Sequence, residues 1–95
     1  MDLLQELKDK LNITWNEEET NRKLESIIED AKLILNYKLG ATIDYSEAGL
    51  EHNLFLNYCM YVYNNCSNEF DINYLNEIYQ IRQKYEVLNY EQENQ

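Results

Sequence analysis

The chain of 95 residues has no proline, two glycines and one histidine, and sets only 8 Lys and Arg against 18 Asp and Glu. Each shortage excludes something. Without proline, and with Gly40 and Gly49 isolated from each other, little forces a helix to break and no glycine-rich loop exists to cradle a phosphate. One histidine cannot assemble a metal triad or a His-based catalytic triad, and His52 and Cys59 would stand about two helical turns apart. The net charge of −10 opposes binding to a phosphate backbone and to anionic membrane surfaces. The longest apolar run, 58–63, is far short of the ~20 residues that span a bilayer. The opening Met1-Asp2-Leu3-Leu4-Gln5-Glu6 has neither the basic start nor the apolar stretch of a secretory signal, so the chain is expected to stay where it is made. Cys59 and Cys66, about 10 Å apart along one helix, are beyond disulfide reach and read as small buried apolar groups. No metal, no cofactor and no catalytic residue is expected, and the composition argues against an enzyme.

What is present points to helices. Hydrophobic residues make up 44% and aromatics 13%, enough for one small globular core. The expected fold is all-α, a single compact domain of about four helices over 1–86 followed by a flexible tail, 87–95. Residues 2–12 place Leu3, Leu4, Leu7 and Leu11 on one face. Asn16 with Glu19 forms a capping-box pattern that opens a long second helix ending at Gly40. Its core stripe is Leu24, Ile27, Ile28, Ala31, Ile34, Leu35 and Leu39, while Leu33 and Tyr37 stand at i, i+4 on the opposite, polar face. They are either two scattered exposed residues or part of an interface.

The third helix, opened by Ser46 and Glu47 and running to about Asn64, carries apolar or aromatic groups at almost every angle and must be enclosed on most sides. Its strip of Asn53, Asn57 and Asn64 either bonds across a subunit contact or faces water. The fourth helix, from 67 or 71 to 86, turns Ile72, Leu75, Ile78, Tyr79 and Tyr85 toward the core. In the tail, Leu88 and Tyr90 are either anchors for a partner or parts of a frayed terminus. Nine tyrosines exceed what one core needs, and tyrosine favours protein interfaces. Leu33, Tyr37, Tyr58, Tyr61, Tyr63, Leu88 and Tyr90 are therefore the candidate interface residues. No Lys or Arg falls between Lys38 and Arg82, a stretch that contains Asp44, Glu47, Glu51, Glu69, Asp71 and Glu77.

The order of Leu11-Asn12-Ile13-Thr14-Trp15, the acidic Glu17-Glu18-Glu19, and Leu24-Glu25-Ser26-Ile27-Ile28-Glu29-Asp30-Ala31 resembles the small head-tail connector proteins of tailed bacteriophages. The stretch from Leu56-Asn57-Tyr58-Cys59 through Val62-Tyr63-Asn64-Asn65, then Glu69-Phe70 and Asn73-Tyr74-Leu75-Asn76-Glu77-Ile78, is similar to the family's aromatic third helix and its continuation. The resemblance covers residues 2–86. It implies a helical adaptor, made in the host cytoplasm, that forms a ring of twelve below the portal protein in the virion. A stopper protein docks on the ring, and DNA passes through its centre without specific binding. In that setting the six carboxylates above are candidates to line the channel, where negative charge repels phosphate; the same acidity otherwise serves solubility. An alternative from another class is a small acidic phage-encoded regulator or DNA mimic that binds a host protein. A helix-turn-helix DNA binder is disfavoured because no helix carries a basic face.

Overall fold

The computed structural model describes residues 2–93, with side chains as far as Glu91. The chain is all-α, and among the described residues its elements are α1 (Leu3–Lys10), α2 (Glu18–Leu39), α3 (Leu50–Tyr63), a 3₁₀ turn (Ser67–Glu69), α4 (Phe70–Asn73) and α5 (Leu75–Glu93). Asp2 caps α1, its Oδ1 accepting from the backbone N–H groups of Leu4 and Gln5 at 3.1 and 3.4 Å. Asn12 adopts a positive φ of 61° and turns the chain away. Leu7 is fully buried, with Leu3, Leu4 and Leu11 packed around the core as the leucine spacing predicts.

The capping box at Asn16 does not form. Helix α2 starts at Glu18 behind Glu17, which makes no side-chain cap. Asn16 is diverted instead: its Oδ1 accepts from Asn21 Nδ2 at 2.8 Å, while Asn21 Oδ1 accepts from the buried Lys8 ammonium at 3.0 Å. The side chain that sequence spacing assigns to a local cap thus holds Asn21, whose other amide atom ties α2 to Lys8 of α1. At the other end Gly40 takes the left-handed conformation, φ 73°, and its N–H donates to the Asn36 carbonyl, as its position predicts. Leu24, Ile28, Ala31, Leu35 and Leu39 form the buried stripe, whereas Ile34, expected in it, is exposed at its edge.

Helix α3 begins four residues later than expected. Ser46 cannot start it because its backbone N–H and hydroxyl both donate to Asp44 Oδ1, forming a turn that also lowers the Asp44 pKa below the ordinary carboxylate value. Tyr45, in the loop that precedes α3, is a core residue. Its ring stacks on Phe55 at 4.7 Å and its hydroxyl donates to Asn36 Oδ1 at 2.8 Å, so burial pushes the phenol pKa well up. Six residues of α3 are buried, from His52 to Cys59. Helix α2 packs against α1, α3 and α5, and α1 also packs against α3, so α3 is enclosed as its all-round apolar pattern requires.

The expected fourth helix is split. Tyr74 (φ −117°, ψ 23°) separates α4 from α5 and resets the helical phase. Phe70, Ile78 and Ile81 are buried and Tyr85 half-buried, while Ile72, Leu75 and Tyr79, expected inside, are exposed; along α5 the stripe is set by Ile78, Ile81 and Tyr85, which leaves Leu75 and Tyr79 one face round. Beyond Glu86, where a tail is expected, α5 continues to Glu93; Asn94 and Gln95 lie outside the described residues. Residues 87–93 contain no proline or glycine to break the helix, so it continues after its amphipathic pattern fades.

Both cysteines are free thiols. Burial pushes the Cys59 thiol up to about 12, whereas Cys66 is half-exposed at the end of α3. At pH 8 only about one Cys59 in 10⁴ is a thiolate, the species that reacts. Alkylation of the native protein at that pH is expected to label Cys66 alone, with Cys59 reacting only after unfolding. Mass spectrometry of the two peptides checks this, and equal labelling of both would contradict the enclosed position of Cys59.

Candidate assembly surface

The i, i+4 pair on α2 is exposed as its spacing predicts, Leu33 at 72% and Tyr37 at 89%. Ile72 on α4 and Leu75 and Tyr79 on α5 are also among the exposed large apolar side chains. Between α2 and α5, Tyr37, Leu75, Ile78, Tyr79 and Arg82 line a groove of about 420 Å³, together with the ion pair of Lys38 and Asp71 at 2.8 Å. That pair cancels its own charge, so Arg82, which makes no ion pair among the described residues, leaves the groove net positive. A cationic groove with aromatic walls is unusual on a chain of net charge −10.

Not all the predicted interface residues belong to an exposed surface. Tyr58 is only 5% exposed, packed edge-on against Phe70 at 4.8 Å, and is a core residue. Tyr61 is half-buried, edge-on to Phe70 and Tyr74, and its hydroxyl accepts from Asn73 Nδ2 at 3.0 Å. Tyr63 is half-buried beneath the Lys23 ammonium, 5.1 Å from the ring centroid. These three aromatics serve the junction of α3 with α4 or cover α2. Leu88 and Tyr90 are exposed on the last turns of α5, away from the groove-lining half of that helix. The groove residues Leu75, Tyr79 and Arg82 were missed. Their signal is present in the sequence: they lie at i, i+4 and i+7, one face round from the stripe Ile78, Ile81, Tyr85 and Leu88.

The six acidic candidates also separate. Glu51 pairs with Lys84 at 2.9 Å and accepts from the Tyr85 hydroxyl at 3.3 Å, a contact that pushes the Lys84 pKa up chiefly by hydrogen bonding. Asp71 is held by Lys38, and Asp44 by Ser46. Glu47, Glu69 and Glu77 make no ion pair among the described residues and are the carboxylates left to project a field.

His52 has a structural position that spacing along one helix does not reveal. Its Nδ1 lies 2.6 Å from the Tyr45 carbonyl oxygen and its Nε2 2.8 Å from Glu6 Oε2, joining α1, the 40–49 loop and α3. Among the described residues no group of His, Cys, Asp and Glu is arranged to hold a metal ion. No described helix is long and apolar enough to cross a membrane. Compared with known proteins, the chain matches no family model, no curated protein and no solved structure.

Proposed function

We propose that the protein is a non-enzymatic adaptor that assembles as a ring below a phage portal, joins the DNA-filled head to a stopper protein and leaves a channel for DNA. The observation that carries this reading is the band of exposed Leu33, Tyr37, Leu75 and Tyr79 around the groove, large apolar side chains that a solitary small domain has no use for. The order of motifs that resembles the connector family supplies the particular assembly. Glu47, Glu69 and Glu77 are the carboxylates that would be free to face DNA in such a ring, where only those within a Debye length of about 10 Å of its path would contribute.

The test is electron microscopy of the protein mixed with the portal protein of the same particle. The wild type is expected to give rings seated on portal. The Leu33→Ser/Tyr37→Ser double variant should lose the rings while keeping its helicity and melting within a few degrees, since both positions are exposed. A wild type that ignores portal, or a variant that assembles normally, counts against the adaptor. Capture of a basic host enzyme in place of portal would favour the DNA-mimic reading.

A further inference from the structure

We propose that the groove between α2 and α5 receives the C-terminal end of α5 from a second copy of the same chain. This rests on the assembly reading above and gives it a specific contact.

Two features of α5 define the occupant. The stripe Ile78, Ile81, Tyr85 and Leu88 keeps the 3, 4, 3 spacing of one helical face, yet burial falls from Ile81 through half-buried Tyr85 to exposed Leu88. The helix runs on past the part of it that is well packed, and its core-facing stripe ends at a Leu88 that is 44% exposed. At 100° per residue, Val87 and Glu91 share an arc of about 100° with Leu88, and both are exposed. After Lys84 the sequence contains Glu86, Glu91 and Glu93 and no cation. The overhang is thus apolar and acidic.

The groove is its complement. Tyr37, Leu75 and Tyr79 offer apolar walls, and Arg82 a guanidinium without an ion pair among the described residues. Its volume of about 420 Å³ lies at the small end of ligand-pocket sizes and suits a few side chains, not a whole helix. Leu88 enters between the two tyrosines and Glu91 meets Arg82, a geometry open to two-pronged carboxylate recognition. A chain cannot fill its own groove, because Leu75, Tyr79 and Arg82 lie on the same uninterrupted helix as Leu88 and Glu91. The occupant must come from another copy.

Donor and acceptor are different patches, so the contact is heterologous and each copy offers one of each. Such contacts propagate and close into a ring when the rotation permits. Two turns of helix bury less than the roughly 1,200 Å² of a stable pair, so single contacts are weak, and ring closure, in which each copy makes two, strengthens the whole.

The experiment separates the two patches. Leu88→Ser/Glu91→Gln disables the donor and Tyr37→Ser/Arg82→Gln the acceptor; circular dichroism and melting verify that both variants stay folded. Each alone is expected to sediment as an 11.5 kDa monomer, and their equimolar mixture at high concentration as a dimer and nothing larger, while the wild type forms larger closed species. A wild type that stays monomeric throughout, or a mixture that stays monomeric while the wild type assembles, overturns the proposal. A dimerising mixture whose parent fails to bind portal leaves this contact standing and removes the adaptor reading. Rings on portal with no dimerising mixture do the reverse.

Discussion

The Phe70→Ala protein is expected to lose about 3 to 5 kcal/mol of stability, the usual cost of emptying a fully buried aromatic site. Phe70 is 0% exposed and is the centre of an aromatic cluster: Tyr58 and Tyr61 meet it edge-on at 4.8 and 5.5 Å, and Tyr74 stacks on it at 4.8 Å. Removal of the ring therefore forfeits its buried area and three aromatic contacts together. A chain of 95 residues has a total stability of roughly 5 to 14 kcal/mol, so the substitution removes a large share of it and lowers the melting temperature by about 15 °C or more. Phe70→Leu keeps most of the apolar volume and should cost about 1 to 2 kcal/mol. Urea unfolding followed by circular dichroism distinguishes these values. A loss below about 1 kcal/mol for the alanine variant would mean that the 3₁₀ turn and α4 are held by something other than this ring.

His52→Ala is expected to rank next, at about 2 to 4 kcal/mol. The substitution leaves the Tyr45 carbonyl and Glu6 Oε2 without their imidazole partner and opens a cavity where three segments meet. The figure sits below the full cost of a broken buried ion pair because Glu6 Oε2, although buried and 2.8 Å from Nε2, accepts no well-aligned hydrogen bond there. Glu6→Gln retains an acceptor for Nε2 and removes the charge, so it should cost much less than His52→Ala. In the double variant the two losses should not add, because each removes the same contact. Strict additivity in chemical denaturation would show that Glu6 and His52 act independently.

Helical content was legible because a 3.6-residue period survives wherever one face is buried, as Leu24, Ile28, Ala31, Leu35 and Leu39 show. Gly40 was legible because only a residue tolerant of positive φ ends such a helix easily. The errors share a cause. Asn16, Tyr45 and His52 are each committed to partners across turns or helices, Asn21, Asn36 and Glu6 respectively, and nothing in local spacing encodes those partners. The groove is a different case. Ile81 sets the buried stripe of α5 with Ile78 and Tyr85, and in that register Leu75, Tyr79 and Arg82 fall one face round, so their exposure follows once Leu75 and Tyr79 are not counted with the core. Leu33 and Tyr37 were easier to place because the buried stripe of α2 runs unbroken from Leu24 to Leu39.

The link between Glu6 and His52 has a consequence for how the chain is made. Synthesis runs from the amino terminus at about 5 to 20 residues per second. The 46 positions that separate residue 52 from residue 6 therefore take about 2 to 9 s, during which α1 has left the ribosome and its partner helix has not. In that interval Leu3, Leu4, Leu7 and Leu11 have no α3 to lie on. Asn36, by contrast, holds Ile43 and Tyr45 within nine residues, so the turn after α2 can form as soon as it emerges. Order of emergence and order of completion thus differ: the first helix translated can lean on α2, to which Lys8 ties it through Asn21, but its packing is complete only when α3 arrives.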